Sequence, residues 1–226
     1  MGDSPEIFHS LQGEGVSMGK PAVFIRLALC NLKCEWCDTS YTWKWPRNGA
    51  NSHIISIPVR EVSRLISDFP STHLVITGGE PLLQCNKIVE LMAFLPHHSL
   101  EIETNGTLIP SPELDDRVTQ YNISPKLNHS GNPTKNRLNK KALKWFSLSD
   151  KSWFKFVIEH PKDIDEVEEL EKSCSLPHDK ILLMPKGTSV ETLNNILPLL
   201  AEECIRRNYR LTDRLHIHLW GNKPGV

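Results

Sequence analysis

The stretch Cys30-Asn31-Leu32-Lys33-Cys34-Glu35-Trp36-Cys37 decides the reading of this chain. It begins two residues after Ala22–Ala28 (AVFIRLA), an apolar run that reads as a buried strand. Three cysteines in the spacing C-x3-C-x2-C put three thiolates on one loop, and thiolates suit zinc or an iron–sulfur cluster. A structural zinc site would need a fourth ligand to close its tetrahedron. Cys85 or a histidine is a candidate, but nothing in the sequence places either nearby. A four-iron cluster held by three cysteines keeps one iron open, and an open metal position is what catalysis needs.

Outward from that loop, strand-like and helix-like segments alternate. Val59, Val62, Leu65, Ile66 and Phe69 sit at helical spacing, as do Ile88, Leu91, Met92 and Leu95. His73–Ile76, Leu100–Thr104, Tyr121–Ser124, Trp153–Ile158 and Lys180–Met184 read as strands. Ile164, Val167 and Leu170 mark another helix. A long one carries Leu193, Ile196, Leu197, Leu200 and Cys204 with Pro198 inside it. Leu215–Leu219 alternates apolar and polar residues and reads as a final strand, which would turn His216 and His218 to one face. This order predicts βαβ units, a mainly parallel sheet and a partial (β/α)6 barrel, because a full eight-fold barrel usually takes about 250 residues. Chemistry in such folds gathers at the C-terminal ends of the strands. The unusual motifs do follow strands: the cysteine loop after the first, and Thr77-Gly78-Gly79-Glu80-Pro81 after the second.

Composition narrows the function. The 226 residues carry 26 Lys and Arg against 27 Asp and Glu, a net charge of −1. That balance argues against a general grip on nucleic acid or an anionic membrane. No apolar run approaches the ~20 residues of a membrane span, and Met1–Pro5 carries no signal-peptide pattern. The expectation is a cytoplasmic protein. Of six cysteines, Cys85, Cys174 and Cys204 are scattered and read as ordinary buried thiols. The basic residues of Lys135–Lys144 read as a solvated helix face or, failing that, a dock for an electron donor.

The cysteine spacing, Trp36 between the last two cysteines and the Gly78-Gly79-Glu80-Pro81 turn resemble the radical S-adenosylmethionine (SAM) superfamily. There SAM chelates the open iron of a [4Fe-4S] cluster, and reductive cleavage of its sulfonium yields a 5′-deoxyadenosyl radical that abstracts hydrogen. Further stretches narrow the resemblance. Glu6-Ile7-Phe8, Leu11-Gln12-Gly13-Glu14-Gly15, Phe24-Ile25-Arg26-Leu27 and Cys37-Asp38-Thr39 are similar to the 7-carboxy-7-deazaguanine synthase family. So are Thr104-Asn105-Gly106-Thr107, Ser124-Pro125-Lys126, Leu215-His216 and Trp220-Gly221-Asn222-Lys223. That family converts 6-carboxy-5,6,7,8-tetrahydropterin to 7-carboxy-7-deazaguanine with loss of ammonia, on the way to queuosine and other deazapurines. The step is a carbon–nitrogen lyase reaction that regenerates SAM and requires Mg2+.

The resemblance implies roles residue by residue. Cys30, Cys34 and Cys37 hold the cluster, and Thr39 offers Mg2+ a hard oxygen. Trp36, Cys37, Asp38, Gly78, Gly79, Glu80, Ser124, Pro125, Lys126, Met184 and Pro185 surround SAM. Leu11, Gln12, Gly13, Glu14, Arg26, Thr77 and His216 contact the pterin. In that set Arg26 is a two-point clamp on the substrate carboxylate, its alternative being a pair with a structural carboxylate. Glu14 accepts from the guanidine-like edge of the pterin. No catalytic group beyond cluster and SAM is implied. The resemblance further implies a single domain over residues 1–226, a variable insertion near 43–56, a substrate-lining segment at 215–226, a homodimer, and a flavodoxin or ferredoxin as reductant. Leu29 stands where the family commonly has a small residue. The family's proline carboxylate at the C-terminus does not transfer, because this chain runs on through Lys223-Pro224-Gly225-Val226. A radical-SAM activase of a glycyl-radical enzyme and a zinc-stabilised binding module are the competing readings. The activase does not account for Leu11–Glu14 or Arg26.

Overall fold

A computed structural model describes residues 5–44 and 54–226. The stretch 45–53, including Trp45-Pro46-Arg47-Asn48-Gly49 of the expected insertion, lies outside the described residues. The elements run β1 Ile7–Leu11, β2 Pro21–Leu27, α1 Val59–Ser67, β3 His73–Gly78, α2 Cys85–Phe94 and β4 Ser99–Thr104. They continue with α3 Pro112–Asp115, β5 Gln120–Ile123, α4 Thr134–Arg137, α5 Lys140–Ser147, β6 Ser152–Ile158 and α6 Asp163–Cys174. The last are β7 Ile181–Pro185, α7 Val190–Arg207, β8 Arg210–Leu211 and α8 Leu215–Trp220.

All eight strands form one sheet in sequence order. Strands β2 to β8 are parallel and β1 is antiparallel to β2, with Ile7 opposite Ile25. Strands β2–β7 supply the six expected parallel strands of the partial barrel, and the two-residue β8 adds a seventh at the edge. The main core lies between sheet and helices: Ile66, Met92, Leu114, Phe146, Val167 and Leu200 are buried against strand residues such as Ile76, Ile102, Phe154 and Leu183. Helix ends are capped locally. Asn139 accepts from the Lys141 and Ala142 amides, and Ser189 from the Thr192 amide.

Two expectations fail at the chain's ends. Strand β1 escaped notice because its five residues are only half-buried, with His9 exposed, so no apolar run announces it. The segment Leu215–Trp220 is a helix, not a strand. Only Ile217 of it is buried, and the helix supplies its own backbone bonds, Gly221 N to Ile217 O at 2.9 Å among them. At ~100° per residue in a helix, His216 and His218 then point to nearly opposite sides. His216 lines the central cavity, whereas His218 Nε2 lies 2.9 Å from Asp213 Oδ2. The basic stretch also divides. Lys135, Lys140, Lys141 and Lys144 are exposed, but Arg137 is buried and paired with Glu166 at 2.7 Å. Among the scattered thiols, Cys174 and Cys204 are buried and Cys85 is half-buried.

Candidate active site

The turn after β3 shows why its glycines are needed. Gly78 has φ +127°, and a Cβ there would lie 2.1 Å from the Leu27 carbonyl oxygen; one on Gly79 would lie 2.0 Å from that of Leu29. The two turns after β2 and β3 press backbone to backbone, with Gly79 N donating to Leu27 O and Glu80 N to Leu29 O. Glu80 locks the next strand to them. Its fully buried carboxylate accepts from Leu82 N at 3.0 Å, Thr104 Oγ1 at 2.8 Å and Asn105 N at 2.7 Å. Burial pushes its carboxyl up, against those hydrogen bonds. Its side chain is spent on β4 and does not face the cavity.

A cavity of about 1010 Å³ opens above this layer. Of the residues implied by resemblance, all but Glu80 and Pro125 line it. The cysteine loop forms one wall. Three N–H groups point at its sulfurs: Leu32 N to Cys30 at 3.4 Å, Asn132 Nδ2 to Cys34 at 3.3 Å and Trp43 Nε1 to Cys37 at 3.4 Å. One donor per thiolate is how proteins stabilise the charge of an iron–sulfur cluster. Burial pushes the Cys30 and Cys34 thiols up, a cost that such a cluster would offset. Among the described residues no three His, Cys, Asp or Glu side chains gather tightly enough for a single metal ion. Three thiols on one cavity wall, each with its own N–H donor, make a donor set that fits a four-iron cluster. Trp36 flanks the loop, stacked on His129 at 5.4 Å with Lys126 Nζ 5.5 Å from its ring centroid.

The opposite wall is the loop after β1. Gln12 is buried and its Nε2 donates to Glu101 Oε1 at 2.7 Å and Glu103 Oε1 at 3.0 Å. Thr77 Oγ1 donates to Glu103 Oε2 at 2.7 Å. Glu101 is further held by Asn122 and His73. Arg26 takes the structural partner among its two readings, donating from Nε to Glu6 Oε1 at 2.7 Å, while Tyr41 OH donates to the same carboxylate. Arg26 still lines the cavity, and its outer guanidinium nitrogens take no bond among the described residues.

Glu14 differs from expectation. Both its oxygens are taken by cations, Lys155 Nζ on Oε2 and Arg214 Nε on Oε1 at 2.9 Å. Burial alone would raise its pKa; the charges of Lys155 and Arg214 overcome burial and hold the carboxyl well below the usual range. Burial also lowers the pKa of His216, which keeps it neutral near pH 7. His216 packs so closely on Gly13 that a Cβ there would lie 2.1 Å from its Nδ1. The charged cavity residues Glu103, Lys155 and Arg214 are among those the sequence did not reveal. Lys155 carried the signal that singled out Arg26, a charge inside an apolar strand (WFKFVI).

Known proteins place this arrangement. Residues 25–141 match the radical SAM superfamily. The chain is 37% identical to the 7-carboxy-7-deazaguanine synthase of Pyrobaculum aerophilum over 97% of its own length and 95% of the relative's. It is 32% identical to that of Halobacterium salinarum over 99% and 94%. The crystal structure of QueE from Escherichia coli superposes with a TM-score of 0.69 at 29% identity, covering 94% of this chain and 93% of that one. With both sequence and fold matched nearly end to end, the chain belongs to the 7-carboxy-7-deazaguanine synthase family of the radical SAM superfamily.

Proposed function

We propose that this chain is a 7-carboxy-7-deazaguanine synthase that contracts the ring of 6-carboxy-5,6,7,8-tetrahydropterin with loss of ammonia. One observation carries the reading: a single cavity joins the three-cysteine wall to a floor of carboxylates and an arginine. Its volume of about 1010 Å³ stands at the top of the range for small-ligand sites, which suits a nucleoside-sized and a pterin-sized molecule side by side.

Cys30, Cys34 and Cys37 would hold the cluster, which with SAM supplies the radical that starts the reaction. Trp36–Asp38, Gly78, Gly79, Ser124, Lys126, Met184 and Pro185 form the SAM side; Glu80 and Pro125 act through the backbone they position. Leu11–Gly13, Arg26, Thr77 and His216 form the pterin side. Arg26 clamps the substrate carboxylate with its outer nitrogens while Glu6 holds Nε. The donor edge of the pterin needs an acceptor-only partner. Glu103 fits that part better than Glu14, because its two bonds come from neutral donors, Gln12 and Thr77. Neutral His216 can accept or donate one hydrogen bond without adding charge.

Finer parts of the reading follow. Thr39 lies on the cavity wall, its Oγ1 3.8 Å from Cys37 Sγ, where Mg2+ would meet a hard oxygen beside the substrate carboxylate. The whole chain acts as one radical SAM domain, with Asn222–Val226 along the cavity rim as the end of the substrate-lining segment. A flavodoxin or ferredoxin supplies the electron. The working form is a cytoplasmic homodimer.

The test is anaerobic reconstitution with iron and sulfide, then SAM, a reductant, Mg2+ and 6-carboxytetrahydropterin. A product lighter than substrate by one ammonia is expected. 5′-Deoxyadenosine without that product would reject the substrate.

A further inference from the structure

Arg214 stands between the two halves of the site and belongs to neither. Its guanidinium uses three nitrogens on three distant segments. Nε donates to Glu14 Oε1 at 2.9 Å, in the loop after β1. Nη2 donates to Asp38 Oδ2 at 2.5 Å, directly after the last cysteine. Nη1 donates to Gly187 O at 2.5 Å, just past β7. The side chain is 10% exposed and lines the cavity. With Lys155 on the other oxygen of Glu14, two cations face two carboxylates, of which Glu14 is enclosed and Asp38 is about a third exposed.

The backbone around Arg214 closes the barrel. Among the described residues, strand β8 has no partner beyond β7. The chain that follows it bridges the open side. Thr212 N bonds Leu183 O at 3.0 Å, Gly15 N bonds Thr212 Oγ1 at 2.9 Å and Leu215 N bonds Gly13 O at 2.9 Å. A rigid planar fork is suited to such a junction, whereas an ammonium is a single point charge that cannot span it. Removing a buried partner leaves an uncompensated charge, here Asp38 on one side and half of Glu14 on the other.

We propose that Arg214 is a positioning residue that makes the Gln12–Gly15 loop and the Asp38 end of the cysteine loop one mechanical unit, so that filling the SAM side orders the pterin side. The division into these two sides rests on the function proposed above. By linkage the effect is reciprocal: pterin would raise the affinity for SAM by the same factor.

Hydrogen exchange of the reconstituted protein tests this without any pterin. The amides of this loop are hydrogen-bonded: Gln12 N to Lys20 O at 2.8 Å across the β1–β2 turn, Glu14 N to Gln12 Oε1 at 3.2 Å, and Gly15 N to Thr212 Oγ1 at 2.9 Å in the junction itself. Adding SAM alone is expected to slow their exchange by ~5-fold or more, the lower end of ordinary coupling. In Arg214→Lys, which keeps the charge, that slowing disappears while amides of β3 and β4 exchange as before. Asp38→Asn cuts the same link from the SAM side and should abolish the slowing at SAM concentrations that saturate it. No slowing in the parent protein, or equal slowing in both variants, overturns the proposal. A second measurement compares SAM affinity with and without 6-carboxytetrahydropterin. A parent protein that shows SAM-dependent protection but does not bind that pterin would reject the substrate and leave the coupling standing.

Discussion

The side-chain amide of Asn132 donates to the sulfur of Cys34 across 3.3 Å, although 98 residues separate them. Asn132 also accepts from Lys33 N at 2.9 Å, and Ser130 O accepts from Glu35 N. The loop after β5 thus clasps the cysteine loop from outside. An N–H on a cluster sulfur favours the reduced, more negative state. Asn132→Leu, which keeps the volume and removes the donor, should move the cluster midpoint to more negative potential without loss of iron. A redox titration followed by electron paramagnetic resonance measures it.

Gly13→Ala tests the contact between the two ends of the chain. The new Cβ would meet His216 at Nδ1, Cγ and Cβ, at 2.1, 2.8 and 3.1 Å. The whole ring must move, at a cost of about 1–3 kcal/mol for overpacking. A shift near 1 Å at a substrate-positioning group costs about a hundredfold in kcat/KM. Adding His216→Ala should restore the Tm but not the activity; recovery of both would remove His216 from the site.

Arg137 anchors the clasp. It is 4% exposed and donates to Glu166 Oε1 at 2.7 Å and Lys126 O at 2.8 Å. Glu166 in turn accepts from Asn128 N. Arg137→Ala should cost roughly 3 kcal/mol in denaturant unfolding, at the lower end for a broken buried pair because Glu166 is partly wet. Lys141→Ala, on the exposed face nearby, should stay within about 0.5 kcal/mol.

Glu14 sets an acid limb of stability. Its folded pKa is depressed by Lys155 and Arg214. The unfolded chain takes up the proton near its ordinary value of 4.5, and the native state does not. Stability from this group is therefore present above that pH and lost as pH falls below it, by at most about 1.4 kcal/mol per pH unit. Between pH 5 and 3 the parent protein should lose Tm more steeply than Glu14→Gln. Equal slopes would mean that Lys155 and Arg214 do not hold the Glu14 carboxyl below its unfolded value.

Much of the site was legible because motifs sit on strand ends. C-x3-C-x2-C and Gly78-Gly79 follow β2 and β3, and the parallel fold brings strand ends together. What escaped depends on tertiary partners. The alternation of Leu215–Leu219 fits a strand, but a six-residue helix satisfies the backbone locally instead, with Gly221 N on Ile217 O. Glu14 reads as a free acceptor until Arg214, 200 residues on, is found upon it. Leu29 lies at φ +77°, half-exposed, its amide on Thr42 O and its carbonyl on Glu80 N. That left-handed backbone explains why a small residue suits the position.

A cavity that runs radical chemistry on a pterin while sparing SAM has a characteristic stoichiometry. Product formed per SAM lost, under anaerobic conditions with a verified four-iron cluster, reads it out. Many 7-carboxy-7-deazaguanine molecules are expected for each SAM consumed, and none from Cys34→Ala. One 5′-deoxyadenosine for every product, or no product from an intact cluster, would contradict it.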